Sequence, residues 1–566
     1  MARAAAAALA VLVFCADRAS AQDTLKVGQG VAREIAAGAT HAYTIALDAG
    51  DYVTGTIDQR GILVLAAVFA PDGSRLRNFG GPRDVKRTVA FIAERAGTYR
   101  IELRAPSVAE AAQQGGSQSE NGSYEVTLVE RLPFDERMKA QPRQDRYASP
   151  AIEALRKQIA AGDSSTESFW QRVAQSGTPL VEPIEGETKR TRVTFLWRAT
   201  APTRNVMVLG SFMTGPPTDY AMTRLGETDV WYLTVRMPSG SRFAYSLSPN
   251  DPQTFDPPRA AQRGATVQGD PLNPRRWGCS PTATRHDCQS MAELPGAPPQ
   301  PWIVRNDTIP AGKVDKHKIA SAVLKNERNL SVYTPPGYLA TGKPYALLVL
   351  FDESAYLNNV PTPVILDNLI AAGRIPPIVA VLIANPSQDT RNKELPPNPQ
   401  FADFLATELV PWVHAHYTVT SDAKLTTVGG SSYGGIAATY AGLRHSELFG
   451  NVLCQSGSFW WAPDHGGGPD SDATTETGWL AKEFIKSPKL PLRFWMDAGV
   501  FEVDSRGNGG AILEPSRHMR DVLLAKGYDV RYQQFNSGHD YLNWRGTLAD
   551  GLIALVGTDT TRSSSR

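Results

Sequence analysis

The hydrophobic rhythm of the chain changes twice. Between residues 22 and 130, apolar and polar positions alternate in short runs: His41-Ala-Tyr-Thr-Ile-Ala-Leu, Tyr52-Val-Thr-Gly-Thr-Ile and Gly97-Thr-Tyr-Arg-Ile-Glu-Leu. Turn signals, Ala49-Gly50-Asp51 and Pro71-Asp72-Gly73, separate them. Period-two alternation puts every second side chain on one face, so residues 22–130 predict a small antiparallel β-sandwich. Residues 111–122 (AAQQGGSQSENG) read as a loop before a last strand at 123–130. Residues 131–180 are polar and helical in pattern, with Pro150 and Gly162 as punctuation, and read as a helical linker. Strands return in Val193-Thr-Phe-Leu-Trp-Arg, Asn205-Val-Met-Val-Leu, Val230-Trp-Tyr-Leu-Thr-Val and Phe243-Ala-Tyr-Ser-Leu. Their spacing predicts an immunoglobulin-like sandwich over 181–278. A lead-in over 279–329 contains the Pro-rich stretch 295–301.

From 330 to 558 strands alternate with helices. The runs 345–351 and 378–383 are apolar, as strands buried on both faces are, whereas 401–416 and 516–526 read as helices. Such alternation predicts a mostly parallel sheet covered on both sides. The fold class expected is therefore multi-domain, with an α/β catalytic domain preceded by two sandwiches. Residues 559–566 read as a disordered tail.

The N-terminus does not belong to this pattern. Arg3, a 13-residue apolar stretch at 4–16 and Ala19-Ser20-Ala21 form an export signal with its cleavage site. Residues 1–21 would be removed, placing the protein in the periplasm or outside the cell. A membrane span needs ~18 apolar residues, and the runs 61–70 and 375–384 fall well short. The 58 basic and 57 acidic side chains give a net charge of +1, which argues against electrostatic capture of nucleic acid. Export permits a disulfide. Cys279 and Cys288 flank a short loop and are expected to pair; Cys454, in an apolar run, reads as a buried thiol. Zinc is disfavoured at the pair, because only His286 lies nearby.

The candidate chemistry lies in Leu425-Thr-Thr-Val-Gly-Gly-Ser-Ser-Tyr-Gly-Gly-Ile-Ala-Ala. A short strand runs into Gly430-Ser431-Ser432-Tyr433-Gly434, and a small-residue helix follows, which is G-x-S-x-G in its strand–turn–helix setting. Ser432 is the candidate nucleophile, ahead of Ser431 at the second motif position. A serine needs a base, and in this chain order the acid and then the histidine follow it. His445 sits on the helix leaving the elbow, His465 precedes any plausible acid, and His518 is mid-helix. His539, in Asn536-Ser-Gly-His-Asp directly after a β-type run, is where the base belongs. The acid should follow the strand 492–496, which leaves Asp497, Glu502 and Asp504; Glu502, on the loop after Gly499, is favoured. His414 and His416 form an H-x-H on a helix, where the two point apart, so no metal site is expected there.

Two resemblances add to this reading. The first segment, through its strand pattern and "AGTYRIEL", resembles bacterial pre-peptidase C-terminal modules, which bring no catalytic residues. More extensively, "GGSSYGGIAATYAGLRHSELFGNVLCQSGSFWW" and "SGHDYLNW" resemble the enterochelin (ferric enterobactin) esterases of the esterase D superfamily. The likeness runs from about residue 150 to 556 through "FWQRVAQSGTPLVEP", "VTFLWRA", "DVWYLTVRMP", "DPLNPRRW" and "TRNKELPPNPQFADFLATELVPWV". It implies an immunoglobulin-like domain, an α/β-hydrolase domain and cleavage of ester bonds in a ferric catecholate siderophore. It carries over Ser432, His539 and Glu502 as nucleophile, base and acid. It also implies an oxyanion hole from the backbone N–H groups of Tyr433 and Glu353. Here Asp352-Glu353 stands where the family more usually has Asp-Gly.

A ferric catecholate is anionic and presents flat rings. Arg391 and Lys393, after the strand 378–383, and Trp460 and Trp461, after the strand 451–454, are the candidate substrate contacts, with Arg391 a partly exposed cation at the rim of the cleft. Iron belongs to the substrate, and no cofactor is implied. The alternatives are a secreted feruloyl or acetyl carbohydrate esterase and a siderophore-binding protein without activity. Every candidate catalytic residue follows position 330, so deleting residues 22–130 should leave kcat/KM on a small soluble ester within tenfold of the full chain, measured on a folded truncation.

Overall fold

The computed structural model describes residues 23–80, 86–113, 118–134, 149–215, 217–252, 263–279, 283–463, 478–503 and 511–558. The expected export signal, the tail at 559–566 and Asp504 lie outside them. The chain divides into two compact units: Met1–Lys139 with Thr254–Thr266, and Ala140–Gln253 with Val267–Arg566.

In the first unit, a five-stranded sheet (Asp23–Thr24, Thr40–Leu47, Gly97–Arg104, Leu65–Phe69, Arg75–Phe79) and a four-stranded one (Gly30–Ala36, Asn121–Leu132, Tyr52–Arg60, Arg87–Ile92) share one core. Tyr43, Ile45, Tyr99 and Ile101 from the first sheet meet Val53, Ile57, Phe91 and Tyr124 from the second. The alternating runs supply those residues because period two puts them on one face. Gly50 (φ +87°) and Gly73 (φ +82°) take the left-handed turns that the sequence signals. The stretch expected as a loop differs at both ends. A helix covers Val108–Gln113, with Glu110 receiving Arg104 at 3.0 Å, and the last strand begins at Asn121.

The second unit opens with helices Pro150–Ala160 and Glu167–Ser176, expected as a linker. They are instead packed elements: Ile152, Leu155, Phe169, Trp170 and Val173 are buried with Leu196, Val230 and Tyr232. Two four-stranded sheets follow. One has the order Leu180–Ile184, Glu187–Arg198, Val230–Pro238, Thr223–Arg224; the other Val206–Gly210, Arg242–Pro249, Gln289–Glu293, Arg276–Trp277. Their shared core is aromatic, with Phe195, Phe212, Phe243 and Tyr245 in mutual ring contact. The sheet runs beyond the expected boundary at 278, because Gln289–Glu293 pairs with Arg242–Pro249. Cys279 and Cys288 are disulfide-bonded just before that strand.

The last sheet has eight strands in the order Lys313–Ser321, Asn326–Thr334, Ile378–Ile383, Ala346–Leu350, Thr426–Ser431, Asn451–Gln455, Arg493–Gly499 and Asp529–Phe535. The first two are antiparallel; the remaining six run parallel. Apolar clusters cover both faces, with Val349, Val381 and Val452 in one and Leu348, Leu382 and Leu453 in the other. The strand at 313–321 lies before the expected start at 330. Its lysine-rich alternation suits an exposed edge that must not recruit other strands. Ala346–Leu350 and Thr426–Ser431 are neighbours whose onward connections leave in opposite directions, so a crevice opens at their carboxyl ends. No helix among the described residues is long and apolar enough to cross a membrane.

Candidate active site

The parallel register gathers the candidate chemistry at one edge. Ser431 pairs with Gln455, Gln455 with Asp497, and Gly499 with Phe535. The segments that follow these strands carry Ser432, Ser456, Glu502 and His539. Four stretches far apart in sequence therefore emerge side by side.

Ser432 sits at φ +57°, ψ −120°, directly before the helix Tyr433–Arg444. This is strained backbone for a residue with a Cβ. Small neighbours make it possible: a Cβ on Gly430 would come within 2.8 Å of Gly434 backbone, and one on Gly435 within 3.0 Å of Cys454 Sγ. The turn is also tied down, by Ser432 N–H donating to Gln455 O at 2.9 Å and Ser458 N–H donating to Ser432 O at 3.1 Å. Ser432 Oγ lies 3.4 Å from Ser458 Oγ. Its competitor Ser431 is fully buried at the strand end.

His539 Nδ1 lies 2.5 Å from Glu502 Oε1, so Nδ1–H donates to the carboxylate and Nε2 is left as the free acceptor. The Glu502 side chain is 1% exposed. Its second oxygen accepts from Gly499 N–H at 2.5 Å and Ser456 Oγ–H at 2.9 Å. Trp544 Nε1–H donates to Ser456 Oγ at 3.0 Å, and the Trp544 ring stands edge-on to His539 with centroids 4.8 Å apart. His539, Glu502, Ser456 and Trp544 thus form a closed circuit. Asp497, which lies within the strand Arg493–Gly499, faces Ser456 N–H at 3.2 Å and Trp495 Nε1–H at 3.4 Å instead. Burial, reinforced by the Glu502 charge, pushes the Asp497 pKa up to about 7. His445, also a candidate by chain order, engages Asp403 and Glu447.

Tyr433 and Glu353 are each the first residue of a helix, so neither N–H has an acceptor within its helix. They follow the adjacent strands at the crevice, and a Cβ on Gly434 would stand 3.6 Å from Asp352 Oδ2. Asp352 is in the left-handed region (φ +56°), where its backbone turns the chain into the second helix. The two neighbouring carboxylates then part. Glu353 accepts from Lys316 Nζ at 2.9 Å and from Ser331 Oγ, which turns its side chain toward the two edge strands. Asp352 receives Arg391 in a two-pronged pair, at 2.6 and 2.7 Å, and Asn385 at 2.5 Å.

This pairing gives Arg391 a fixed partner that the sequence does not reveal. The Arg391 side chain is 18% exposed and its charge is matched, with its guanidinium 5.8 Å from the Tyr433 ring. The partner lies 39 residues earlier, where charge pattern alone does not point. Lys393 is exposed on the same short helix, Gln388–Glu394. Trp460 is half-buried, its ring 5.9 Å from that of Tyr433, so Arg391, Tyr433 and Trp460 line up beside the elbow. Trp461 packs instead on Trp479, at 5.7 Å, against the core. Ser456 and Trp544 escaped the sequence reading. The signal for Ser456 was present in its place, immediately after a buried parallel strand. Among the described residues, no group of three or more His, Cys, Asp or Glu is arranged to hold a metal ion.

A family model described as Esterase matches residues 321–555, and one described as Enterochelin esterase, N-terminal, matches 192–303. The chain is similar to the iron(III) enterobactin esterase of Dickeya dadantii, 32% identical over 72% of this chain and 97% of that protein. It is 28% identical to the iron(III) salmochelin esterase of Escherichia coli, over 72% of this chain and 98% of the relative. The crystal structure of the enterobactin esterase from Shigella flexneri in the presence of enterobactin covers 69% of this chain and 98% of its own, with 28% identity and a TM-score of 0.54.

Arg391→Ala should loosen the turn that carries the Glu353 amide. Charged hydrogen bonds of this kind are worth roughly 1–3 kcal/mol, so kcat should fall about five- to 150-fold on an anionic and a neutral ester alike. Side-by-side kinetics check this, and a loss confined to the anionic ester would return Arg391 to recognition. A second outcome follows from Asp497. Its folded pKa lies above the unfolded value, so the folded state holds a proton that the unfolded state releases as pH rises. The stability due to the neutral acid is complete below the unfolded pKa and is lost on the way up to about 7. Asp497→Asn should flatten that decline, read by denaturant titrations at a series of pH values.

Proposed function

We infer that this chain, which belongs to the enterochelin esterase family, is a serine esterase that hydrolyses the ester bonds of a ferric catecholate siderophore such as ferric enterobactin. The observation that carries this reading is the His539–Glu502 pair beside the elbow serine, in a chain aligned with nearly the whole length of an iron(III) enterobactin esterase. We read the eight-stranded domain as an α/β-hydrolase, the two sheets before it as an immunoglobulin-like sandwich and the first unit as a further sandwich. The N-terminal signal pattern supports action after export, in the periplasm or outside the cell.

The chemistry follows from the proton inventory. With Nδ1–H held by Glu502, His539 Nε2 takes the proton of Ser432 Oγ as that oxygen attacks the ester carbonyl. Glu502 keeps the imidazole in this tautomer and stabilises the imidazolium. The carbonyl oxygen becomes an oxyanion that the Tyr433 and Glu353 amides can receive, each at the positive end of a helix. On collapse of the tetrahedral intermediate, His539 returns its proton to the leaving alkoxide. Water then repeats the sequence on the acyl-enzyme, releasing a carboxylic acid and the serine. Ser432 Oγ now meets Ser458, and its hydrogen bond to His539 is one that forms with substrate in place, as such bonds commonly tighten on binding. Beside the elbow, the Tyr433 and Trp460 rings offer aromatic surface suited to a catechol ring.

Incubation with ferric enterobactin followed by mass spectrometry tests the reading. Each ester cleaved adds one water to the ligand, and unchanged ligand would overturn the substrate assignment. Ser432→Ala should lower kcat by roughly 10³–10⁶ with the fold intact, and activity within tenfold of the original would overturn the nucleophile.

A further inference from the structure

We propose that the paired sheets matched by the enterochelin esterase N-terminal model act as a positioning clamp for the catalytic acid and base, with Ser211 and Phe501 as its contact points. The proposal rests on the reading of Ser432, His539 and Glu502 as the triad. The loop bearing His539 is fastened to the sandwich on both sides of the histidine. Before it, Arg242 N–H donates to Asn536 O at 2.9 Å, and Asn536 Nδ2 donates to Ser239 O at 2.8 Å. After it, Ser211 Oγ–H donates to the Asp540 carboxylate. Between them Gly538 has no room for a side chain, since a Cβ would run into the Ser211 carbonyl oxygen. Asp540 also caps the helix Tyr541–Val556 through Asn543 N–H at 3.2 Å, and that helix brings Trp544 edge-on to His539. The sandwich therefore touches both the chain that carries the base and the helix that supports it.

The acid loop is held in the same way. Phe501, next to Glu502, packs against the aromatic core of the sandwich rather than into the eight-stranded domain's own clusters. The two loops are also tied to each other, by Phe501 N–H donating to Ser537 O at 3.1 Å and Val500 N–H to Phe535 O at 2.8 Å. Displacing a catalytic group by about 1 Å can cost on the order of 100-fold in rate. A neighbouring domain that fixes both loops thus acts on turnover without touching substrate.

Full-length Ser211→Ala, Phe501→Ala and Ser211→Thr test this. Circular dichroism establishes folding, kcat and KM are measured on p-nitrophenyl acetate, and proton NMR follows the far-downfield resonance of the His539 Nδ1–H held by Glu502. The two alanine variants should each lose at least fivefold in kcat with KM within twofold, and weaken that resonance. Ser211→Thr, which keeps the hydroxyl, should recover kcat to within twofold of the original. A folded Ser211→Ala with a smaller loss of kcat, a loss confined to KM, or an unchanged resonance would overturn the clamp. If Phe501→Ala does not fold, the two Ser211 variants decide. These readouts are independent of the siderophore, so failure to cleave ferric enterobactin would remove the substrate assignment and leave the clamp standing.

Discussion

A buried carboxylate cannot be left without donors, and the site is organised around meeting that demand for Glu502. Removed from water, the group accepts from Gly499, Ser456 and His539, three donors from three separate segments. An unpaired charge there would be far costlier than any of these bonds is individually favourable. The demand therefore draws the segments together. The acid loop must close on itself to offer Gly499, the neighbouring strand end must present Ser456, and the base loop must bring its imidazole with Nδ1 inward. Orientation of the histidine is a by-product of satisfying the glutamate.

The strain at Ser432 is sustained by a different means. A left-handed serine persists only where the surroundings over-determine it. Here buried strands on both sides, close glycine contacts and hydrogen bonds to Gln455 and Ser458 remove the alternatives. Glu353 follows the neighbouring strand at the same crevice. A residue larger than glycine can sit beside the first-turn amide because Lys316 and Ser331 draw its side chain toward the edge strands. Asp352, one position earlier, is drawn by Arg391 and Asn385. Two consecutive side chains of the turn are thus each held by partners from the strands and loops on one side of Ala346–Leu350.

Local grammar made much of this legible in the sequence. G-x-S-x-G needs only five residues and their flanking elements, and a histidine in a short loop after a strand is nearly as local. The acid was harder, because several carboxylates lie within a few residues and only the direction of each side chain separates them: Glu502 toward His539, Asp497 toward Ser456 N–H. What was not legible depends on long-range partners. Arg391 looks like a free cation until Asp352 is beside it. The strand Gln289–Glu293 lacks β-branched residues, and Lys313–Ser321 is too charged to resemble its buried neighbours. The helices at 150–176 looked like a linker because their polar faces dominate the composition, whereas their apolar stripes pack on Leu196, Val230 and Tyr232 of the adjoining four-stranded sheet.

Chain order gives the clamp a temporal side. Ser211, Ser239 and Arg242 leave the ribosome long before Asn536, His539 and Asp540 exist. The sandwich, with its own core, is complete as a surface before the last strand of the large sheet has been made, and domains generally fold in the order of synthesis. The base loop then closes against a template already waiting for it. An unfinished or C-terminally clipped chain carries the elbow serine but neither the imidazole nor the cap that seats it. On the proposed roles, such a fragment holds a serine hydroxyl without its base, and esterase activity is a property of the finished molecule.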